Sequence, residues 1–187
     1  MSTPLCLILV GLVSRLLPHP SNAVAIGAIA LYAGARLPRR WALVIPLAIF
    51  VASDLILSAY TWKAFQFYPV SQLTTYATFT VVALVGGLVP KHPGAAVRLS
   101  MSVAASTLFF LVSNFAVWLD GSGYSYGRDL SGLVNCYVLA VPFFWNSLAA
   151  DLVGTTVLFG LDGLFNREHA ECAVESATPA LTEVTAG

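Results

Sequence analysis

The chain is built from long apolar segments that are separated by short turns. Six segments can be drawn: Leu5–Leu17, Ala23–Ala35, Trp41–Ser58, Ser71–Val89, Arg98–Leu119 and Ser147–Phe165. A bilayer core needs roughly 20 apolar residues of helix, because each residue of an α-helix rises about 1.5 Å. The first two segments are short for this length, and the other four approach it. The pattern predicts an all-α membrane protein, a compact bundle of about six transmembrane helices in residues 1–165.

Composition supports this class of protein and argues against others. Hydrophobic residues make up 58% of the chain and charged residues 10%, whereas a soluble domain is about 25% charged. The formal net charge is zero, so no electrostatic argument favours nucleic acid as a partner. The three cysteines form no CxxC pair, which argues against a disulfide framework or a structural zinc site. Residues 166–187 are polar and predict a disordered cytoplasmic tail.

Basic residues predict how the bundle lies in the membrane. With both termini in the cytoplasm, six basic residues fall inside and three fall outside, which agrees with the positive-inside rule. The inside set is Arg36, Arg39, Arg40, Lys91, Arg98 and Arg167, and the outside set is Arg15, Lys63 and Arg128. We therefore expect a multi-pass protein of the inner (cytoplasmic) membrane. The apolar stretch Gly132–Trp145 is broken by Pro142, and it predicts either the first half of a long bent helix or a flap on the membrane.

Asp54, Asn114 and Asp151 lie inside apolar segments. A carboxylate at the centre of a membrane helix costs roughly 2.5–3.5 kcal/mol on insertion scales, so such groups usually have a function. The predicted segment ends place all three residues roughly 6–8 Å below the outer surface. They predict either the floor of an outward-facing pocket or an internal network in which Arg15 pairs with Asp54 or Asp151.

Further polar and aromatic residues are expected near the same depth. The turn after the first segment contains Pro18-His19-Pro20, which stops a helix and could cover the pocket. Trp118 follows Asn114 by four residues and so shares its helix face. The predicted substrate-binding residues are His19, Asn22, Asp54, Asn114, Trp118, Asn146 and Asp151.

The second segment carries a stripe of small residues. Ala23, Gly27, Ala30 and Gly34 recur at spacings of four, three and four. Small residues let another membrane helix approach closely. The stripe predicts either packing within this chain or docking onto a separate membrane partner.

Several enzyme motifs are missing from the sequence. The chain contains no GxxxxGK[ST], HExxH or GxSxG. It therefore gives no support for ATP hydrolysis through a P-loop or for a hydrolase, and we expect neither catalysis nor a cofactor.

Several short motifs together resemble a family of small bacterial candidate transport proteins. These motifs are Arg15-Leu16-Leu17-Pro18-His19-Pro20-Ser21-Asn22, Gly27-Ala28-Ile29-Ala30-Leu31-Tyr32-Ala33-Gly34, Ser53-Asp54-Leu55, Ser113-Asn114-Phe115-Ala116-Val117-Trp118 and Pro142-Phe143-Phe144-Trp145-Asn146-Ser147-Leu148 with Asp151-Leu152. That family is similar to the substrate-binding S components of energy-coupling-factor (ECF) vitamin transporters. The resemblance implies six helices, cytoplasmic termini, a pocket near the outer face, and docking onto a transmembrane T component driven by separate ATPase subunits.

The leading hypothesis is thus uptake of a small, vitamin-like or precursor molecule. In this hypothesis Asp54 and Asp151 bind polar or cationic parts of the ligand, Asn114 and Asn146 form hydrogen bonds with it, and Trp118 stacks on it. Two alternatives stay open. One is a cobalt- or nickel-type metal carrier or sensor with His19, Asp54 and Asp151 as ligands. The other is a non-transporting assembly protein whose polar groups only specify packing.

Overall fold

A computed structural model describes residues 3–18, 20–60, 69–90, 93–121 and 126–184 of the chain. These residues form six helices and no strand. The helices are α1 Thr3–Leu16, α2 Ile26–Arg36, α3 Arg39–Tyr60, α4 Pro69–Gly86, α5 Ala95–Asp120 and α6 Leu130–Val184. The all-α prediction is confirmed for this part of the chain.

Three of the helices contain stretches that are long and apolar enough to cross a membrane. They are Arg39–Leu57, Ala95–Asp120 and Leu130–Leu164. The other apolar helices, including α2, are shorter. Many large apolar side chains on the long helices are exposed, among them Val138, Val153 and Leu161. Such a surface suits a lipid environment, because hydrocarbon solvates leucine and valine as well as a protein core does.

Contacts between polar side chains define how the helices run. Ser106 of α5 contacts Asp151 of α6, and Ser102, one turn earlier on α5, contacts Thr155, one turn later on α6. Helices α5 and α6 are therefore antiparallel. Asp54 near the end of α3 contacts Gln72 near the start of α4, and Phe50, one turn earlier on α3, contacts Phe79, two turns later on α4. These two helices are therefore antiparallel as well. We call the end of the bundle where α4 and α6 begin the upper end, and the opposite end the lower end. Helix α2 begins deeper, at the level of Asp151 in α6, and runs toward the lower end.

Helix α2 lies at the centre of the bundle. All residues from Ile26 to Ala33 are buried, and the helix packs against α3, α4, α5 and α6. A helix that is apolar on every face is stable only when neighbours surround it. Small residues make this close packing possible: a Cβ atom at Gly34 would overlap the backbone carbonyl oxygen of Ala83 in α4.

Helix α6 is much longer than the segment Ser147–Phe165. It begins at Leu130 and continues through Pro142 without a break. The stretch Gly132–Trp145 is thus the first half of a long helix, and no flap forms there. Proline removes one backbone donor and disturbs a helix locally, and here the helix continues on both sides of it. The backbone also remains helical through residues 166–184, for which the sequence predicts a disordered tail. This segment is rich in alanine and glutamate, which favour helix.

Candidate functional site

Asp54 belongs to a polar cluster at the upper end that joins three helices. Its Oδ1 lies 2.5 Å from Nη2 of Arg15 on α1. Its Oδ2 accepts hydrogen bonds from Gln72 Nε2 at 2.8 Å and from the Tyr76 hydroxyl at 3.2 Å, both on α4. The guanidinium of Arg15 lies 4.4 Å from the centre of the Phe50 ring. Of the two predicted partners of Arg15, the geometry selects Asp54.

Asp151 has a different kind of partner, namely the N-terminus of α2. Its Oδ1 accepts the backbone N–H of Ala28 at 2.9 Å, and the backbone N–H of Gly27 also donates to this carboxylate. The first N–H groups of a helix lack partners within it and carry a partial positive charge. Ala25, at the N-cap, makes no side-chain hydrogen bond, so a carboxylate from another helix takes over this role. Gly27 has no side chain, and a Cβ there would overlap the Asp151 carboxylate.

A row of hydroxyl groups continues from Asp151 along the α5–α6 contact. Ser106 donates to Asp151 Oδ2 at 2.8 Å, and Thr155 donates to Ser102 Oγ at 3.1 Å. All four side chains are buried. Sequence reasoning missed Ser102 and Ser106, although their spacing of four residues on one helix face was a usable signal.

Two adjoining cavities lie between the Asp54 cluster and the α5–α6 contact. One encloses about 260 Å³ and reaches Arg15, and the other encloses about 210 Å³ and reaches Asn114. Both are lined by Asn22, Phe109 and Ser147, so the cavities meet at these residues. We call them together the upper cavities. Further aromatic rings form their walls: Phe50, Phe79, Phe110, Phe143 and Phe144.

The turn before α2 brings Asn22 to the upper cavities. Pro20 accepts the backbone N–H of Ala23 at 2.9 Å, and Asn22 has a φ of 63°. Asparagine tolerates this left-handed backbone better than most residues do. Asn146 Nδ2 of α6 donates to the Ser21 carbonyl at 3.0 Å. Asn146 therefore holds the turn against α6, while its neighbour Ser147 lines both cavities.

The remaining predicted residues lie at varied positions. Asn114 lines the smaller cavity, with Nδ2 donating to the Phe110 carbonyl at 2.8 Å. Trp118 lines neither upper cavity, and its Nε1 donates to the Gly127 carbonyl at 2.9 Å. His19 lies outside the described residues. Within the described residues, no group of three or more His, Cys, Asp or Glu could hold a metal ion.

The expected common depth of the three polar residues does not hold for Asp151. Asp151 contacts Ser106, which lies eight residues before Asn114 on α5. At 1.5 Å per residue, Asp151 is roughly 12 Å deeper than Asn114. The error arose because α6 was expected to begin at Ser147, whereas it begins at Leu130. Asp151 sits behind Ser106, a wall residue of the smaller cavity.

The small-residue stripe faces the chain's own helices. Gly27 contacts α6, Gly34 contacts α4, and Ala30 is fully buried. Ala23, before the start of α2, instead lines an open apolar groove of about 570 Å³ between α1 and α6. Of the two predicted roles of the stripe, packing within the chain therefore applies to Gly27, Ala30 and Gly34. A docking role for them has no support in this geometry.

At the lower end a second ion pair joins α2 to α6. Arg36 Nε lies 2.7 Å from Asp162 Oδ2, and the Tyr32 hydroxyl lies 3.3 Å from Asp162 Oδ1. The Arg36 guanidinium also lies 5.1 Å from the centre of the Phe159 ring. This pair lines neither upper cavity.

Over the residues that the structure describes, fold and site together define an all-helical protein with three helices of membrane-spanning length. At its upper end lie cavities with aromatic walls and a few polar groups. The chain belongs to DUF6580, a family of unknown function, whose family model matches residues 1–174. No curated protein and no solved structure matches the chain.

Proposed function

We propose that this protein is a multi-pass protein of the cytoplasmic membrane that binds a small molecule in the upper cavities for uptake, as a substrate-binding S component does. The adjoining cavities are the observation that carries this proposal. Their combined size falls within the range of small-molecule sites, roughly 300–1,000 Å³. Apolar and aromatic walls with a few polar groups are also typical of such sites.

The distribution of basic residues supports access from outside. Arg36, Arg39, Arg40 and Arg98 lie near helix ends at the lower end of the bundle. Because cytoplasmic loops of membrane proteins are enriched in Lys and Arg, the lower end faces the cytoplasm in our proposal. The upper cavities then face outward, and both termini lie in the cytoplasm.

A panel of vitamin-sized compounds tests binding. Compounds would be scored by thermal shift on the purified full-length protein in detergent. We expect hits to lose roughly fivefold in affinity in Asn22→Gly, because one neutral hydrogen bond is lost while glycine keeps the turn. Phe109→Leu should weaken the same hits, and lipid-facing Leu161→Ala should not. If every hit keeps its affinity in both cavity variants, the site lies elsewhere.

A non-transporting assembly protein is the second candidate. The observation that favours it is that Asp54, Asp151 and Asp162 all have partners inside the bundle. Co-purification from native membranes, followed by mass spectrometry, separates the two functions. Recovery of a T component and ATPase subunits together with a bound small molecule supports uptake. Recovery of partner proteins, with no compound that shifts the unfolding temperature, supports assembly.

A further inference from the structure

We propose that the upper cavities take an amphipathic anion, a carboxylate or phosphate on a flat apolar ring, whose anionic group pairs with Arg15. This inference rests on the proposed function, since it names the class of molecule for the same cavities.

The charge of the cavity walls is the first reason. Among the described residues that line the two cavities, Arg15 is the only charged one. Asp54 is absent from both linings and contacts Arg15 from α3. Asp151 is likewise separated from the smaller cavity by the Ser106 hydroxyl. A molecule inside the cavities therefore contacts the Arg15 guanidinium directly, whereas the carboxylates of Asp54 and Asp151 lie behind the wall residues. This arrangement favours an anionic ligand.

The surroundings of Asp54 are the second reason. A ligand anion would compete with Asp54 for the Arg15 guanidinium. Asp54 would keep its hydrogen bonds from Gln72 and Tyr76, so the carboxylate would not be left bare when Arg15 turns to the ligand. A guanidinium presents five N–H donors in a plane and suits both carboxylates and phosphates. Asp54 thus keeps two hydrogen bonds while Arg15 exchanges its partner.

The arrangement of rings near Arg15 is the third reason. Phe50 lies under the guanidinium, the rings of Phe50 and Phe79 are 4.9 Å apart, and those of Phe79 and Phe109 are also 4.9 Å apart. All three rings line the cavity that Arg15 reaches. Aromatic side chains pack well against other flat rings. An apolar ring would lie along this row with its anionic group toward Arg15.

A matched set of naphthyl compounds tests the charge preference. 2-Naphthoate, 2-naphthyl phosphate, neutral 2-naphthamide and cationic 2-naphthylmethylamine would be titrated into the full-length protein by calorimetry in detergent. We expect both anions to bind roughly tenfold or more tightly than the amide, because a charge-assisted hydrogen bond has this magnitude. The amine should bind most weakly.

Variants of the ion pair test the exchange itself. Asp54→Asn removes the competing carboxylate, so it should tighten naphthoate binding and leave the amide unchanged. The double variant Arg15→Gln with Asp54→Asn removes both charges together and should abolish the preference for anions. Asp162→Asn, which breaks the equivalent pair at the lower end, is the matched control and should change neither affinity. A pair that serves packing alone predicts no gain in Asp54→Asn.

The failures of the two proposals are distinguishable. Equal binding of acid and amide that is weakened by Phe109→Leu overturns the anion proposal and leaves the small-molecule function standing. Weaker naphthoate binding in Asp54→Asn also overturns the anion proposal, as does the absence of binding by all four compounds. The proposed function fails if the wider panel leaves the unfolding temperature unchanged, or if its hits keep their affinity in both cavity variants.

Discussion

Individual carboxylates in this bundle are stabilised in different ways. Asp54 and Asp162 pair with guanidinium groups of Arg15 and Arg36, whereas Asp151 accepts backbone N–H groups of α2 and a serine hydroxyl. A buried charge needs such partners, because an unpaired one is very costly in an apolar surrounding. Asp151 is 3% exposed and so depends on them most. Its role is to fix the start of the central helix.

Replacing Asp151 should therefore destabilise the fold. In Asp151→Ala, the N-terminus of α2 loses its cap and the Ser106 hydroxyl loses a buried acceptor. We expect the free energy of unfolding to fall by roughly 2–4 kcal/mol. Asp151→Asn keeps one acceptor oxygen and should lose only about 1 kcal/mol. Equilibrium unfolding in detergent, followed by circular dichroism, measures both. Equal stability of Asp151→Ala and the exposed control Val153→Ala would refute the capping role.

The sequence identified these residues individually and named Arg15 as a partner, but it left open which carboxylate Arg15 pairs with. Asp54 and Asp151 stand out because carboxylates are rare in apolar segments. Their partners depend on the register between helices, and Arg15 could have reached either one by its position in the sequence. The capping by Asp151 was not predictable in the same way, because it needs backbone groups 123 positions away in the chain. Almost every residue carries a backbone N–H group, so residue identity does not indicate which of these groups a distant carboxylate will contact.

Among the helices, the three that run toward the lower end each have a carboxylate at or near the N-terminus. Asp151 caps α2 from α6, Asp120 of α5 accepts the backbone N–H of Ser71 near the start of α4 at 3.3 Å, and Asp129 accepts that of Gly132 near the start of α6 at 2.7 Å. Carboxylates at these N-termini offset the positive ends of the helix dipoles.

Most helices were predictable from their apolar runs. For helix α6 the sequence left two alternatives open, a long bent helix or a flap, because Pro142 interrupts the apolar run.

Close packing of α2 on α4 should depend on Gly34. In Gly34→Ala the added methyl group would overlap the Ala83 carbonyl, so the two helices must move apart. We expect a loss of about 1–3 kcal/mol in the free energy of unfolding. Gly160→Ala is the matched control, since a Cβ there meets nothing within 4 Å. It should be neutral or stabilise the helix by up to about 1 kcal/mol. If both variants have the same unfolding midpoint, close contact of α2 with α4 is not required.

For the whole molecule, the central position of α2 explains how a short helix fits among longer ones. It has 11 residues, which is roughly 16 Å of helix. Four other helices pack around it and bury every residue from Ile26 to Ala33. The two ion pairs lie at opposite ends of the bundle and connect different helices, α1 with α3 and α2 with α6. The upper pair borders the cavities and the lower pair does not. In our proposal, therefore, only the Arg15–Asp54 pair can exchange a partner for a ligand, and the Arg36–Asp162 pair provides the control.

The orientation of the bundle can be tested with single cysteines. In a background with Cys6, Cys136 and Cys172 replaced by alanine, Gly94→Cys lies before α5 at the lower end and Ser131→Cys lies at the start of α6 at the upper end. The positive-inside distribution predicts that a membrane-impermeant maleimide labels Ser131→Cys in intact cells and labels Gly94→Cys only after the membrane is opened. The cysteine-free protein is the control for background labelling. The reverse pattern would turn the upper cavities toward the cytoplasm, and labelling of both positions in intact cells would contradict a membrane-spanning bundle.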